Sequence, residues 1–200
     1  MVFFTIIIPH YQGSTSKEEL MQCITSIMEQ ECQDYELLLF HDGPLIRDCP
    51  YEIIKTSLHY GDWGHSLRDL GIRMAKGEWI VMLNSDSILY PKTLKKVKKA
   101  IKEHKDYEGV IIMPVFMNGL QIFKSKACYS NPRNKDIIQY FKGEPEYARI
   151  DCMQLVMKKE DWLRYGGWYD KRCDGDGHMY PRFMKEKSFI RIGDVCGEHN

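Results

Sequence analysis

The sequence lacks the features that would set it apart from ordinary globular proteins. It has no excess charge, since 28 Lys and Arg balance 28 Asp and Glu, so no net field draws it onto nucleic acid or an anionic membrane. It also lacks an internal repeat, a low-complexity segment and any apolar run of about eighteen residues, which excludes a solenoid, a disordered chain and a membrane span. Its 200 residues can bury one substantial core.

Cysteine is present without the spacing of a metal or redox motif. The seven Cys never form a C-x-x-C pair, so nothing indicates structural zinc or dithiol chemistry. We interpret them as mostly reduced thiols and expect a cytoplasmic protein. The first apolar run is followed by no Gly-rich phosphate loop, which argues against a nucleotidyltransferase.

The first hundred residues alternate between β-rich apolar runs and amphipathic helical patterns. Strands are predicted at 3–8, 36–40, 51–56 and 79–83. A first helix is predicted to begin at the capping box of Ser16 and Glu19. A second is predicted at 64–76, ending at Gly77, and a third at 91–103. The inward side of the second helix is predicted to carry Leu67, Leu70, Met74 and Ala75. The lysines of this third helix are expected on a solvated face rather than on nucleic acid.

The second half is less regular, with strands expected at 110–114, 150–157 and 189–192 and a short helix at 160–164. The pattern predicts an α/β fold with a mostly parallel central sheet flanked by helices and a mixed C-terminal half. We expect one domain, 1–200, with a nucleotide-binding half (1–108) and an acceptor and catalytic half (109–200), either whole or excised from a longer chain. The segment 116–146 is expected to be a mobile acceptor-side segment.

Polar side chains follow the predicted parallel strands. Ligands of open α/β sheets bind beyond the carboxyl ends of the strands. A carboxylate such as Asp86, beside hydroxyl and amide groups, suits a hard divalent cation, although such residues also commonly form turns. The strand-end residues are His10, Tyr11, Gln12, His41, Asp42, Asn84, Ser85, Asp86 and Ser87.

Three blocks carry a family resemblance. The first block has motifs in the order P-x-Y-N, S-I-x-x-Q and D-D-G-S; it reads TIIIPHYQG…LMQCITSIMEQ…YELLLFHDGP. The second block follows the pattern N-x-G…A-R-N…D-x-D-D…P; it reads GDWGHSLRDLGIRMAKGEWIVMLNSDSILYP. GGWYDKRCDGDGHMYPRF matches a catalytic-base region more loosely. Together they resemble glycosyltransferase family 2, the inverting GT-A sugar transferases. The resemblance implies a GT-A fold and an enzyme that moves a sugar from a nucleoside-diphosphate sugar, by expectation a UDP-sugar, to a hydroxyl of a glycan or glycoconjugate.

The resemblance also implies roles for individual residues. Asp86 and His199 would hold Mn²⁺ or Mg²⁺, although His199 could instead be a surface residue near the chain end. The general base would be Asp176, counting back from Arg182, or equally Asp174, counting forward from Gly166 and Gly167; we favour Asp176. The residues implied for the nucleotide sugar are Pro9, His10, Tyr11, Asp42, Arg68, Asn84, Ser85 and Asp86.

The sequence departs from the family pattern at several polar positions. His41, Asn84 and Ser87 stand where the family has acidic residues, and Asp69 replaces the Asn of A-R-N. Fewer carboxylates weaken the case for a tight metal site, so a catalytically silent nucleotide- or glycan-binding module is the alternative. The pattern leaves open whether Asp151 contacts the acceptor or caps a turn. It also leaves open whether Asp174 and Asp176 lie in a plain loop. A third open question is whether the aromatic residues pack in the core or stack on an acceptor sugar; these are Trp162, Trp168 and Tyr169.

Overall fold

The computed structural model describes residues 2–44, 49, 51–104, 110–113, 115–117, 139–141 and 151–199. Most of the segment 116–146, expected at the acceptor side, lies outside these residues. The elements in chain order are β1 (Phe4–His10), α1 (Lys17–Met28), β2 (Tyr35–His41), β3 (Ile54–Lys55), α2 (His65–Met74), β4 (Trp79–Met82), β5 (Ile88–Leu89), α3 (Thr93–Glu103), β6 (Val110–Ile112), β7 (Val115–Met117), β8 (Gln139–Phe141), a 3₁₀ turn (Cys152–Gln154), β9 (Leu155–Lys158), α4 (Lys159–Arg164), α5 (Gly175–Met184), β10 (Phe189–Arg191) and β11 (Gly197–His199).

A seven-stranded sheet in the order β10-β6-β9-β4-β1-β2-β3 forms the centre of the fold. Strand β1 runs parallel to both β2 and β4, and its seven residues are all buried. Strand β9 is antiparallel to β4 and β6. The predicted α/β fold with a mostly parallel sheet and a mixed second half is therefore confirmed.

A second sheet, in the order β5-β11-β7-β8, was not expected from the sequence. It pairs Gly197 with Leu89 and Glu198 with Ile88, so the chain near residue 199 is held in a strand. His199 is only 8% exposed. The interpretation of His199 as a surface residue is wrong, because this pairing buries it.

The helices confirm most local predictions but correct one helix face. Ser16 and Glu19 form the reciprocal capping box that begins α1. In α2, however, Leu70 and Met74 are 37% and 45% exposed, so their predicted inward placement is wrong. The buried residues of α2 are His65, Leu67, Arg68, Gly71 and Ile72. Polar residues on the buried face obscured the true orientation, since periodicity counts only apolar positions.

Helix α5 was missed for a similar reason. Gly175, Gly177 and Pro181 all disfavour helix, so the local sequence indicated a loop. The plain-loop alternative for Asp174 and Asp176 is wrong, because Asp174 is the N-cap residue of α5 and Asp176 lies in its first turn. Tertiary packing compensates for the weak propensity, since Met179, Tyr180 and Phe183 are fully buried.

Two further observations concern the described residues alone. None of their helices is long and apolar enough to cross a bilayer. Their cysteines are all free thiols: Cys23, Cys32, Cys49, Cys152, Cys173 and Cys196.

Gly77 lies against the backbone of β1 rather than ending α2, which stops at Met74. A Cβ at Gly77 would lie 2.5 Å from the carbonyl carbon of Phe4 and 2.6 Å from the amide nitrogen of Thr5. We predict that Gly77→Ala lowers the free energy of unfolding by about 1–3 kcal/mol, because backbone atoms cannot move aside easily. Gly193→Ala is the matched control, since its Cβ would meet nothing within 4 Å. Equal stability of both variants in urea denaturation would contradict this packing.

Candidate functional site

The site forms where the carboxyl ends of β1, β2 and β4 meet. Parallel register places His10 beside His41. The backbone then stays joined beyond the strands, since the amide of Asp42 donates to the carbonyl of His10 at 2.8 Å and that of Leu83 donates to Ile7 at 3.0 Å. The polar residues that follow each strand therefore share one edge of the sheet.

Asp42 anchors the first part of this edge. Its carboxylate accepts hydrogen bonds from the amides of Tyr60 at 2.8 Å and Gly61 at 3.0 Å. Nδ1 of His59 lies 2.9 Å from the same carboxylate. The imidazole of His59 also stacks on the ring of Tyr11, with centroids 4.2 Å apart and planes 20° from parallel. Asp42 thus ties the segment before α2 to the end of β2.

His10 and His41 form a buried pair, and the ring centroid of Tyr11 lies 6.5 Å from that of His41. The ring centroids of the two histidines are 5.4 Å apart in an edge-to-face arrangement. Burial, followed by the neighbouring His41, lowers the pKa of His10 to about 4, so His10 is neutral at pH 7. Within the described residues, neither Nδ1 of His10 nor Nε2 of His41 has a hydrogen-bond partner.

Arg68 carries the positive charge at the centre of the site. It is 4% exposed, and its guanidinium donates to the carbonyl of Trp63 at 2.8 Å and to Oδ1 of Asn84 at 2.5 Å. Its Cζ lies 5.6 Å from the ring centroid of Trp168. Trp63 adopts φ of 61°, an unusual conformation for a bulky residue, and this turn holds its carbonyl toward Arg68.

Asn84 and Asp151 extend this contact chain toward β9. Nδ2 of Asn84 lies 3.4 Å from Oδ1 of Asp151. The same Oδ1 accepts from the amide of Met153 at 2.9 Å and so caps the 3₁₀ turn. Asp151 therefore both caps a turn and faces the site. Ser85 points elsewhere, to Thr15, with a hydroxyl-to-hydroxyl distance of 2.7 Å.

Asp86 and His199 meet because β11 pairs with β5. Oδ1 of Asp86 lies 3.6 Å from Nδ1 of His199, and the Ser87 hydroxyl lies 3.0 Å from the same nitrogen. Nε2 of His199 is 3.9 Å from Asp151. Burial alone would lower the pKa of His199, but the carboxylates of Asp151 and Asp86 outweigh it and raise the pKa above its usual value.

Asp86 and His199 carry the kinds of donor atom that divalent cations take. Carboxylate oxygens are the ligands that Mg²⁺ and Mn²⁺ prefer, and an imidazole nitrogen adds a ligand that transition metals accept. Both carboxylates near His199 also provide the negative charge that such an ion needs.

Asp176 reaches the site from the first turn of α5. Its carboxylate accepts from the amide of Gly177 at 2.8 Å and from the hydroxyl of Tyr180 at 3.1 Å. Ligand atoms of Asp176, Asp151 and Cys152 all lie within 4.8 Å of one another. Burial, followed by the charge of Asp151, raises the pKa of Asp176 to about 6. Asp176 is therefore a stronger base than an ordinary carboxylate.

Asp174 lies in a different cluster. Its carboxylate is 3.2 Å from Nε2 of His178 and 3.9 Å from Nε of Arg172. Arg172 also forms a bidentate pair with Asp170, donating from Nε to Oδ1 at 3.0 Å and from Nη2 to Oδ2 at 2.7 Å. The structure thus brings Asp176, and not Asp174, next to Asp151.

Aromatic residues near Asp176 divide between core and surface. Trp162 and Trp168 stack with centroids 5.1 Å apart and are each 1% exposed. Tyr169 is 63% exposed. Asp69 fixes this segment through the amide of Trp168 at 3.1 Å and the ammonium of Lys171 at 2.6 Å.

Sequence reasoning missed the contributions of His59, Cys152 and Tyr180. No local motif marks them, since each reaches the site through a turn or a helix that tertiary packing defines. Tyr180 would have been found only if α5 had been recognised, because it lies four residues after Asp176 and therefore on the same helix face.

Comparisons with known proteins agree with this architecture. Residues 5–162 match the family model described as Glycosyl transferase family 2. An uncharacterized glycosyltransferase of Mycoplasma genitalium is 28% identical in an alignment of 169 residues, with 72% of this chain and 56% of the relative covered.

Solved structures are similar in fold. S. aureus TarS 1-349 in complex with UDP has a TM-score of 0.71 at 13% identity, with 98% of this chain and 60% of that chain covered. The complex with UDP-GlcNAc has a TM-score of 0.71 at 14% identity, covering 98% and 58%. The fold is thus that of the GT-A glycosyltransferases. The chain spans little more than half the length of these relatives.

Replacing Asp176 by Asn tests the cost of the charge on this half-buried carboxylate. Its pKa of about 6 lies above the ordinary 3.8, so the ionised carboxylate destabilises the folded protein above that pH, and protonation removes the cost as pH falls. We expect Asp176→Asn to raise the free energy of unfolding by on the order of 2 kcal/mol near pH 8, with the gain shrinking toward pH 4. Urea denaturation across pH measures this, with Asp174→Asn as control. A gain that is absent near pH 8, or equal in the control, would contradict the assignment.

Proposed function

The chain belongs to glycosyl transferase family 2, and we propose that it transfers a sugar from a UDP-sugar to a hydroxyl of a glycan or glycoconjugate, with inversion. The observation that carries this proposal is the contact chain from Arg68 through Asn84 to Asp151, which connects the strand ends to His199 and Asp176. The contact chain brings together the cationic Arg68, the candidate metal ligands Asp86 and His199, and the carboxylate of Asp176.

The nucleotide would bind at the ends of β1 and β2. Tyr11, exposed by 41%, offers a ring on which a base stacks, and Asp42 offers carboxylate oxygens to an imide N–H. Pro9 and His10 line the same strand end. The complexes of TarS with UDP and UDP-GlcNAc, on the same fold, support a uridine nucleotide.

The diphosphate would lie between Arg68 and the pair Asp86 and His199. These two residues would hold Mn²⁺ or Mg²⁺, which when bound supplies Lewis-acid stabilisation of the diphosphate leaving group. Arg68 adds a fixed positive charge in a buried setting, where it acts more strongly than in water. Asn84, which receives a hydrogen bond from Arg68, keeps the guanidinium oriented.

Asp176 would act as the general base. The acceptor oxygen attacks the anomeric carbon, its proton passes to the carboxylate of Asp176, and the bond from that carbon to the diphosphate oxygen breaks. A single in-line displacement inverts the anomeric configuration. The raised pKa of Asp176 suits it to accept that proton. Residues 1–108 supply Asp42, Arg68 and Asp86 for the donor, and residues 109–200 supply Asp176 as base. His199, also from the second half, would join Asp86 at the diphosphate.

The paired variants Asp176→Asn and Asp174→Asn test the choice of base. We predict that Asp176→Asn lowers sugar transfer by at least about a hundredfold, because general-base catalysis is worth that much, while binding of UDP persists. Asp174→Asn is expected to keep most of the activity. Transfer and donor hydrolysis are measured with a panel of UDP-sugars and glycan acceptors. Loss of activity in Asp174→Asn alone would reverse the assignment.

The same assay separates an enzyme from a silent module. Nucleotide binding without transfer or hydrolysis of any UDP-sugar would favour the binding module, for which Asn84 and Ser87 in place of carboxylates are the motivating residues.

The metal pair is tested by Asp86→Ala. We predict that Mn²⁺ in the presence of UDP binds at least about tenfold more weakly, because one of two protein ligands is lost. Electron paramagnetic resonance of free Mn²⁺ measures this directly. Asp34→Ala is the control, since Asp34 is an exposed carboxylate that pairs with Lys98. Unchanged Mn²⁺ binding in Asp86→Ala would exclude Asp86 as a ligand.

A further inference from the structure

We propose that His59 is a built-in competitor for the nucleotide base, a placeholder that the donor must displace from Tyr11 and Asp42. This inference rests on the proposed function, because it takes the ends of β1 and β2 as the base pocket. It concerns how the free protein keeps that pocket closed.

The imidazole of His59 reproduces the two contacts that a uracil ring would make. It is a planar heteroaromatic ring stacked 4.2 Å from Tyr11 and 20° from parallel. Its Nδ1 lies 2.9 Å from Oδ2 of Asp42, which is the distance of a hydrogen bond. A base that uses the same ring face and the same carboxylate cannot bind while His59 is there.

Tyr11 is crowded from a second direction. Gly13 approaches its ring so closely that a Cβ there would lie 2.5 Å from Cε1. His59 covers one ring face, and the Gly13 backbone restricts the ring elsewhere. Asp42 is equally occupied, since Tyr60 and Gly61 donate to its two oxygens and His59 adds a third contact. A base that stacks on the face covered by His59 and contacts Asp42 must therefore replace His59.

The segment that carries His59 can release it without exposing the core. Leu58 and Tyr60, on either side, are already 72% and 55% exposed. The segment is fixed on one side by Thr56, whose hydroxyl accepts from the amide of Gly43 at 2.7 Å. On the other side it is fixed by the amides of Tyr60 and Gly61, which donate to Asp42 at 2.8 Å and 3.0 Å. Rotation of the His59 side chain alone, with the backbone held at these points, would open the pocket.

Removal of His59 should therefore tighten the binding of ligands that carry a base. If the pocket is open for only a fraction of the time, the apparent Kd is raised by the inverse of that fraction. We expect His59→Ala to lower the Kd for UDP by about threefold to tenfold, measured calorimetrically on the full chain with Mn²⁺. The Kd for inorganic pyrophosphate, which lacks a base, should not change.

Two further variants sharpen the test. His59→Phe keeps a ring for stacking but loses the contact with Asp42, so its Kd for UDP should fall between those of the unchanged protein and His59→Ala. His104→Ala, at the end of α3, controls for loss of a histidine elsewhere and should bind UDP as the unchanged protein does. Thermal unfolding establishes that each variant is folded.

The outcomes are distinct. Unchanged or weaker UDP binding by folded His59→Ala would overturn the placeholder while leaving the proposed function in place, as would equal tightening of pyrophosphate. If neither the unchanged protein nor His59→Ala binds UDP, the placeholder is also overturned, because opening the pocket reveals no base site. Absence of transfer and hydrolysis with any UDP-sugar then identifies the proposed function itself as wrong.

Discussion

The parallel pairing of β1 with β2 and β4 is the constraint on which the rest of the site depends. Because β1 is buried on both faces and hydrogen-bonded on both edges, its register cannot slip without moving an entire apolar set. The polar residues beyond the three strands are therefore held at one edge. Asp42 and Asn84 follow β2 and β4 on either side of β1, and Arg68 reaches Asn84 from α2 through its guanidinium.

The edge concentrates carboxylates that would repel one another without local compensation. Asp42 accepts from two backbone amides and contacts Nδ1 of His59, and Asp151 accepts from the Met153 amide and lies 3.9 Å from Nε2 of His199. Asp176 accepts hydrogen bonds from the Gly177 amide and the Tyr180 hydroxyl, but burial and the neighbouring charge of Asp151 still raise its pKa. A carboxylate with a raised pKa lowers the stability of the folded protein but is a stronger base. Such groups are common at functional sites.

Much of the fold was predictable because strands β1, β2 and β4 are continuous apolar runs and α1 begins with a capping box. Within the described residues, the second sheet was not predictable, since β5 and β11 have two and three residues and pair across 108 positions of sequence. Resemblance indicated Asp86, His199 and Asp176. Local pattern could not separate Asp176 from Asp174, because only helix α5, built from glycines and a proline, determines which carboxylate faces Asp151.

The most direct test of the central claim is calorimetric titration of the protein with UDP, GDP and CDP, each with Mn²⁺ and again with EDTA. It examines the base pocket at Asp42 and the metal pair Asp86 and His199 together. The account predicts that UDP binds more tightly than GDP or CDP and that EDTA abolishes most of this binding. Binding of none of the three by folded protein, or equal binding unaffected by EDTA, would contradict it.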